Sequence, residues 1–437
     1  MIKQFENHVK THFPFFKERK LLIAISGGLD SVVLTHLCHE LKLNVALAHC
    51  NFNLRGNESD ADEDFVLQLA ENLDLEVFIE SFDTQEYSHE HKLSIQMAAR
   101  ELRYHWFQEL SEQLKFDCIL TAHHADDNLE TFLINLSRGT GLDGLTGIPE
   151  INGAIVRPLL PFSREAIELY AKKHHLKWRD DSSNASTKYL RNKLRHDVIP
   201  VLKKINPQFL QNFQTTLNNL NDTADIVEER LNAVLKRAIN THDDSSLTLN
   251  ISKFKKLDNP KAYLHAFLKD YGFTEWNDLV NLLDAQSGKQ VFSSSHRLVK
   301  NRDYLILTEL NSGESNQNIS ISKEDSSIKI PFGMLNIEEV ASIATTKPTI
   351  LYVDKEILKF PLSVRKWQEG DVFYPLGMTG KKKLSKYLKD EKTSLIEKEN
   401  TWLLTSGEAI VWVIGKRADE RFKVTDKTKH ILKIELK

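Results

Sequence analysis

LLIAISGGLDS (Leu21–Ser31) joins five apolar residues to a short loop that contains two glycines. The apolar residues predict a buried strand, and Val33, Leu37 and Leu41, spaced by four, predict an amphipathic helix directly after the loop. Glycines let a backbone turn tightly and approach an anion, and the free amides of a helix's first turn then point at that anion. The order strand, Ser-Gly-Gly-x-Asp-Ser, helix therefore predicts a phosphate-binding loop rather than a plain turn.

Further short apolar runs follow this loop, and helical patterns such as Asp60–Leu73 separate them. The runs are Val45–Ala48, Val77–Phe82 and Cys118–Ala122. Continuous apolar strands that alternate with helices predict an α/β fold, in which helices cover both faces of a parallel sheet. Ligands of such sheets bind at the carboxyl ends of the strands, near the point where the strand order reverses.

The apolar spacing changes in the second half of the chain. From Phe213 to Val234 apolar residues recur at steps of three and four, which predicts a long amphipathic helix packed in a bundle. A stretch poor in large apolar residues comes later, and Thr349–Val353 and Ala409–Ile414 then predict strands. These patterns divide the chain into a catalytic domain at 1–204, a mainly helical middle domain at 205–310, a polar linker at 311–329 and a small mixed α+β domain at 330–437.

Charge and cysteine content exclude several classes of protein. The 437 residues include 58 Lys and Arg against 61 Asp and Glu, which excludes a uniformly basic nucleic-acid coat, although residues 361–437 hold 17 basic against 11 acidic residues. Cys38, Cys50 and Cys118 form no Cys-x-x-Cys pair, which argues against a disulfide framework. Because the N-terminus is charged and no apolar run is long enough to span a bilayer, we expect a soluble, cytoplasmic protein without membrane contact.

A second reactive segment, TAHHADDNLET (Thr121–Thr131), comes directly after the strand predicted at Cys118–Ala122. The carboxyl ends of parallel strands meet at one edge of the sheet, so this segment is expected beside the phosphate loop. Its carboxylates could bind an ammonium group or Mg²⁺, and its first histidine or a carboxylate could act as a base toward an attacking amine. The predicted catalytic residues are His123, Asp126, Asp127 and Glu130.

Two alternatives for this segment stay open. A zinc site would use the same residue types, but the chain has neither a His-Glu-x-x-His sequence nor a cysteine pair. Helix capping by Asp126 or Asp127 is compatible with a functional role. The match to Gly-x-Gly-x-x-Gly at Gly139–Gly144 follows the helical pattern Leu129–Ser137 and not a strand, so a dinucleotide site lacks its structural context and a loop beside the site is preferred.

Basic residues suggest how phosphates would be held. Arg100 and Arg103 lie three apart on one predicted helix face and could neutralise phosphate charge, unless they only pair with Glu101 on the surface. The carboxylate of Asp30 would repel phosphate unless it organises Mg²⁺ or caps loop amides. The predicted nucleotide-binding residues are Ser26, Gly27, Gly28, Leu29, Asp30, Ser31, Arg100 and Arg103, with Asp30 as the Mg²⁺ ligand.

Two further tracts are candidates for RNA binding. Arg191 and Arg195 lie four apart, on one face of a predicted helix, and a lysine-rich stretch begins at Lys381. Both arrangements suit a sugar-phosphate backbone, and both are also typical of a solvated helix. The predicted RNA-binding residues are Arg191, Asn192, Arg195, Lys381, Lys382 and Lys383.

Taken together, these segments resemble one family, the bacterial tRNA(Ile)-lysidine synthetases of the PP-loop (N-type) ATP pyrophosphatase superfamily. The matching segments are SGGLDS (Ser26–Ser31), HCNFNLRG (His49–Gly56), AARELRY (Ala98–Tyr104), Thr121–Pro149, WRDDSSN (Trp178–Asn184) and YLRNKLRHDVIP (Tyr189–Pro200). Gly370–Asp390 and Val411–Val424 resemble the RNA-binding domain with which the family ends.

The resemblance implies a ligase that uses ATP and Mg²⁺. In this family ATP adenylates the C2 carbonyl oxygen of the wobble cytidine in an isoleucine tRNA with a CAU anticodon, and pyrophosphate leaves. Free L-lysine then displaces AMP, and the product, lysidine, pairs with A instead of G. The middle and C-terminal domains are expected to contact the tRNA.

This chain departs from the family pattern at two places. The family's second strand often ends His-x-[Asn/Asp]-His, whereas Phe52 stands here at the second histidine, so no catalytic role is transferred to that position. The tract Glu391–Leu404 lacks the Pro and Arg that often follow the lysine-rich stretch, so no acceptor-stem contact is transferred. A tRNA thiolase of the same superfamily, a small-molecule amide synthetase and an inactive RNA-binding protein are the alternatives. The sequence leaves the oligomeric state open, a homodimer included.

Overall fold

A computed structural model describes residues 1–179, 190–241, 246–310 and 318–437, which fold into two compact units, residues 1–229 and 230–437. In chain order its α-helices are Ile2–His12 (α1), Leu29–Glu40 (α2), Asn57–Leu73 (α3), Thr84–Glu90 (α4), Ile95–Leu114 (α5), Ala125–Arg138 (α6), Leu142–Leu145 (α7), Arg164–Lys173 (α8), Leu190–Lys193 (α9), Ile199–Ile205 (α10), Phe209–Ala238 (α11), Ile251–Phe254 (α12), Pro260–Leu268 (α13), Trp276–Asn281 (α14), Leu384–Asp390 (α15) and Leu395–Glu399 (α16). A π-helical turn, Leu194–Val198, joins α9 to α10.

The strands are Leu21–Ala24 (β1), Val45–Asn51 (β2), Val77–Ser81 (β3), Cys118–Leu120 (β4), Ile151–Asn152 (β5), Ile155–Val156 (β6), Ile239–Thr241 (β7), Leu247–Asn250 (β8), Gln290–Phe292 (β9), His296–Asn301 (β10), Tyr304–Glu309 (β11), Ile319–Ile321 (β12), Ser327–Ile330 (β13), Gly333–Val340 (β14), Ile350–Asp354 (β15), Leu362–Lys366 (β16), Val372–Phe373 (β17), Lys382–Lys383 (β18), Trp402–Ser406 (β19), Ala409–Val413 (β20), Arg417–Ala418 (β21) and Ile431–Leu436 (β22).

In the described part of the first unit, the strands form one sheet in the order β3-β2-β1-β4-β6-β5. All pairs are parallel except β5 with β6, and Ile23 lies opposite Leu47 on one side and Leu120 on the other. Alternate β1 side chains enter different cores: Leu21 and Ile23 belong to one apolar cluster, while Leu22 belongs to another. The prediction of a parallel sheet covered on both faces is therefore confirmed.

The strand order brings two predicted motifs together. β1 lies between β2 and β4, so the chain moves outward through β2 and β3 and then returns to the other side of β1. The loop Ser26–Gly28 follows β1, and the segment from Thr121 follows β4. Both start at the carboxyl edge where the strand order reverses, which is where ligands bind in such sheets.

The second unit begins at Arg230, within α11, and contains the rest of the middle region and the C-terminal region. The helices α12, α13 and α14 pack through Phe254, Leu268 and Leu279 in one apolar cluster with a five-stranded antiparallel sheet, β7-β8-β11-β10-β9, of the described residues. The helical middle region is thus confirmed, and its sheet is an addition. Short strands such as β7 and β9 give too little alternation for the sequence pattern to show them.

The C-terminal region contains the sheets β12-β16-β19-β20-β21 and β13-β14-β22-β15 in its described part, packed around the buried Trp412. The mixed C-terminal domain is confirmed. Within the predicted linker, residues 311–317 lie outside the described residues, and Ile319–Ile321 form β12, because Ile321 is buried while Ser320 faces outward. In the described ranges, the helices are too short or too polar to cross a membrane.

Candidate active site

The loop between β1 and α2 is held in an open turn by its own hydroxyls. Gly27 has a φ of +81°, and a β-carbon there would lie 3.3 Å from Cδ1 of Phe65. Ser31 Oγ donates to the Gly28 carbonyl at 2.9 Å, and the Gly28 amide donates to Ser26 Oγ at 3.3 Å. Gly28 is also the N-cap of α2, whose first-turn amides have no partner within the helix. A glycine turn directly before a helix start is an arrangement suited to an anion.

The next two residues have different roles. Leu29 begins α2 with its side chain buried in the core, so its side chain is not available to a ligand. Asp30 Oδ2 lies 3.2 Å from a guanidinium nitrogen of Arg164, and Oδ1 lies 3.6 Å from His124 Nε2. Burial raises the pKa of Asp30, but the polar contact with His124 and the positive charges of His124, Arg164 and Arg195 outweigh it, so the pKa is lowered. Asp30 is therefore ionised, and it pairs with cations instead of capping the loop.

Two adjacent histidines connect β4 to α6. The His124 amide donates to Asp127 Oδ2 at 3.1 Å, and the Asp127 amide donates to His124 Nδ1 at 3.4 Å, so the pair forms a reciprocal helix cap. Because Nδ1 accepts this bond, the neutral form of His124 carries its proton on Nε2, between Asp127 and Asp30. Burial lowers the pKa of His124, yet the neighbouring carboxylates raise it overall. His123 Nδ1 lies 3.0 Å from Thr121 Oγ1, and burial lowers the pKa of His123 to about 4, so His123 is neutral near pH 7.

The predicted carboxylates divide by their partners. Asp126 accepts a hydrogen bond from the Arg164 amide at 2.8 Å and one from Lys203 Nζ, so it fastens α6 to α8 and α10. Glu130 is 1% exposed and binds Arg195 through two hydrogen bonds, at 2.6 and 3.0 Å. Burial, together with the negative charge of Asp127, raises the pKa of Glu130 overall, although Arg195 and Arg191 lower it. Both acids are thus ion-paired, Asp126 with Lys203 and Glu130 with Arg195, and Asp126 also binds the backbone at the start of α8.

The arginines predicted to contact RNA lie against these acids. Arg195 also reaches Asp127 Oδ1 at 3.1 Å. Arg191 donates to Thr131 Oγ1 at 2.8 Å, and its Nε lies 3.7 Å from Glu130 Oε2. The tract thus packs over the acidic face of α6. It places residues predicted to bind RNA against the candidate catalytic residues.

The surroundings of this tract are described in part. Asn192 lies half-buried on α9, directly before the π-helical turn Leu194–Val198. A π-helical turn within a helix often accompanies a functional site. Residues 180–189 lie outside the described residues, and they include Asp180–Asn184 of one matching segment and Tyr189 of another.

Arg100 and Arg103 lie on α5, and each contacts an aromatic ring. The Arg100 guanidinium carbon lies 4.8 Å from the ring centre of Tyr104, and that of Arg103 lies 5.1 Å from the ring centre of Phe52. Glu101, the expected surface partner, instead accepts a hydrogen bond from Tyr87 at 3.4 Å. An aromatic ring carries no net charge, so neither contact places an opposite charge beside the guanidinium, as suits a phosphate contact.

Two arginines beside the phosphate loop, Arg55 and Arg179, were not predicted from the sequence. Asp62, which is 8% exposed, accepts hydrogen bonds from Arg55 at 2.7 Å and from Arg179 Nε. The Arg179 amide also donates to the Gly27 carbonyl at 3.0 Å. Both arginines belong to segments of the family resemblance, but their shared carboxylate comes from α3. Spacing along the chain therefore could not reveal the pair.

Arg157, at the carboxyl end of β6, was also missed. It is 6% exposed, donates to the Pro149 carbonyl at 2.7 Å, and has a buried Nε that no described residue contacts by a hydrogen bond. Its charge contributes to the lowered pKa of His123. A single arginine after a strand of two residues gives no pattern that sequence analysis could use.

The predicted lysine contacts belong to the second unit. Lys382 forms an ion pair with Asp390 at 2.8 Å and lies over the Tyr387 ring, whereas Lys381 and Lys383 are exposed. The two exposed lysines are therefore better placed for a phosphate backbone than Lys382.

The cysteines are poorly placed for sulfur chemistry. Burial raises the pKa of the Cys38, Cys50 and Cys118 thiols, that of Cys50 to about 12. Each thiol therefore stays protonated near pH 7, and sulfur transfer needs a thiolate. These cysteines therefore do not support the thiolase alternative.

Comparisons with known proteins assign the chain. The PP-loop domain family matches residues 1–202, the TilS substrate binding domain matches 242–310, and the TilS substrate C-terminal domain matches 362–436. A tRNA(Ile)-lysidine synthase of Parabacteroides distasonis is 41% identical over 439 residues, which cover 99% of both chains. The chain belongs to the tRNA(Ile)-lysidine synthase family.

A second tRNA(Ile)-lysidine synthase, from Bacteroides thetaiotaomicron, is 39% identical and covers 97% of both chains. A solved U34-tRNA thiolase of Methanococcus maripaludis is 20% identical, with a TM-score of 0.41 over 50% of this chain and 78% of its own. That likeness is too weak to support a function. Membership of the lysidine synthase family confirms the resemblance carried by the motifs and makes the chain an ATP-using ligase.

Proposed function

We infer that the protein joins free L-lysine to C2 of the wobble cytidine in isoleucine tRNA with a CAU anticodon. One observation carries this inference beyond the family match. The anion loop Ser26–Ser31 and the acids Asp127 and Glu130 follow adjacent strands and meet at one sheet edge. A phosphate loop alone would support any ATP pyrophosphatase, whereas acids beside it provide a place for a cationic second substrate.

The first half-reaction is an adenylation. The C2 carbonyl oxygen of cytidine attacks the α-phosphorus of ATP, and the bond to pyrophosphate breaks as its bridging oxygen takes the electron pair. The loop amides and the start of α2 hold the departing phosphates. Arg100 and Arg103 stabilise the charge that develops on the α-phosphate and on pyrophosphate, because preorganised cations act where charge accumulates.

The second half-reaction replaces AMP by lysine. The side-chain amine attacks C2, the bond from C2 to the AMP oxygen breaks, and the nitrogen loses a proton. Asp127 and Glu130 hold an ammonium group of lysine, taking over the place that Arg195 has now. His123, which is neutral because burial lowers its pKa to about 4, and these carboxylates are the candidate proton acceptors.

Asp30 fits a contact with Mg²⁺. Its Oδ1 is buried and accepts no hydrogen bond from the described residues, and a carboxylate oxygen is a ligand that Mg²⁺ prefers. Bound Mg²⁺ would neutralise charge on the departing phosphates. The described residues offer no group of three acidic, histidine or cysteine side chains for a metal, so phosphate oxygens and water would complete the coordination.

We expect the purified protein to release pyrophosphate and to incorporate lysine into isoleucine tRNA when ATP, Mg²⁺ and radiolabelled lysine are supplied. Methionine tRNA is the matched control, because it shares the CAU anticodon. We expect it to accept no lysine. Pyrophosphate release without incorporation would support the adenylation step but show that the nucleophile is not lysine. Thiolation would then be the next hypothesis. The absence of release with any tRNA would favour an inactive RNA-binding protein.

We also expect Lys381 and Lys383 to contact the tRNA backbone. The double substitution K381Q/K383Q should weaken tRNA binding and lower the slope of log K against log salt by about 1 to 2, because each phosphate contact releases about one counterion. K382Q is the matched control, since Lys382 already pairs with Asp390. An unchanged salt slope in the double variant would contradict this assignment. ATP affinity should be the same in all three proteins.

A further inference from the structure

Four arginines around the candidate active site are held in two different ways. Arg164 and Arg195 each pair with carboxylates, which offset part of their charge. Arg100 and Arg103 instead lie over aromatic rings, and in the described ranges neither has a carboxylate within 4.0 Å. An aromatic face attracts a guanidinium through its quadrupole and carries no net charge. It can therefore fix an arginine without neutralising it.

The ring beneath Arg103 is itself immobilised. Phe52 stacks on Phe82, with ring centres 5.8 Å apart and planes 21° apart. Phe82 in turn meets the edge of Trp106 at 6.3 Å and 79°, and Trp106 is buried. The guanidinium of Arg103 thus lies at the exposed end of a column of aromatic rings that begins in the core.

The backbone around Phe52 is held by hydrogen bonds with residues at the end of β2, directly after β3 and at the start of α4. Thr84 Oγ1 donates to the Phe52 carbonyl at 2.9 Å. Asn53, in a left-handed conformation with φ of +51°, donates from its side chain to the Phe82 carbonyl at 3.2 Å. Its amide donates to Asn51 Oδ1 at 3.1 Å. These bonds fix the ring at the carboxyl ends of β2 and β3, on the edge where the phosphate loop lies.

We propose that Phe52 is a positioning residue, which holds Arg103 at the edge of the active site with its charge intact. This proposal rests on the proposed function, in which Arg103 stabilises the α-phosphate and pyrophosphate during adenylation. An exposed arginine samples many rotamers, and ordering it costs conformational entropy. The ring restricts those rotamers before ATP binds, so the Arg103 side chain loses less conformational entropy on the way to the transition state.

The test is a double-mutant cycle on pyrophosphate release, measured in single turnover with full-length protein, ATP and isoleucine tRNA. F52L removes the π face while keeping an apolar side chain, and it should lower the rate of release about tenfold, equivalent to about 1.4 kcal/mol, with a smaller change in KM for ATP. F52Y and F52W keep a π face and should retain most of the rate. F52L should add nothing in the R103A background.

F15L is the matched control, because Arg19 lies 5.4 Å from the centre of the half-buried Phe15 ring, before β1 and away from the candidate site. It should leave pyrophosphate release unchanged. An equal loss from F52L with and without Arg103 would overturn the proposal, as would an unaffected F52L beside an impaired R103A. An unaffected R103A would overturn the proposed role of Arg103 as well. Thermal unfolding of each variant distinguishes loss of fold from loss of rate.

Discussion

Replacing Glu130 with alanine is expected to lower the free energy of unfolding by about 3 kcal/mol, the scale found when one partner of a buried ion pair is removed. Glu130 is 1% exposed and holds Arg195 by two hydrogen bonds. Without this carboxylate, the partly buried guanidinium keeps one ion pair with the described part of the chain, the contact at 3.1 Å to Asp127. Urea unfolding followed by circular dichroism measures the change.

The activity of the same variant separates the two half-reactions. E130A should still release pyrophosphate when ATP and tRNA are supplied, while lysine incorporation falls at least about a hundredfold, the scale of losing one preorganised charge. Loss of both signals would place Glu130 in the adenylation instead. E130Q, which keeps the volume and one acceptor oxygen, should also fail with lysine but lose less stability.

The double variant E130A/R195M is the matched control for stability. It removes both charges, so it should recover much of the loss seen in E130A, because no unpaired buried cation remains. Lysine incorporation should stay low in the double variant. Equal destabilisation of E130A and E130A/R195M would show that packing around Glu130, and not the ion pair, accounts for the loss.

The features that sequence analysis found are those with local causes. β1 follows from five apolar residues in a row, and the loop after it follows from two glycines before a helix. The position of His123 to Glu130 at the same edge follows from the rule that parallel strands present their carboxyl ends together. These inferences need no knowledge of side-chain partners.

The features that were missed depend on contacts between distant segments. Glu130 and Arg195 are 65 residues apart, so their ion pair appears only when α9 and the π-helical turn pack on α6. The sequence favoured His123, but His124 forms the helix cap and lies between Asp30 and Asp127. Two adjacent histidines look alike in a pattern, and which one turns inward depends on where the helix begins.

Replacing Gly27 with valine is expected to slow pyrophosphate release at least about a thousandfold, because the loop amides act together as an oxyanion-type site. At φ of +81° a branched side chain is strained, and its β-carbon would lie 3.3 Å from Phe65 Cδ1, so the loop must change its conformation or the Phe65 ring must shift. G153A is the control: Gly153 has φ of +58° with no atom within 4 Å of the added carbon, in a hairpin turn outside the site. It imposes similar backbone strain and should leave the rate intact. If G27V released pyrophosphate at the normal rate in a folded protein, the loop around Gly27 would not be the phosphate site. The anion would then have to bind elsewhere.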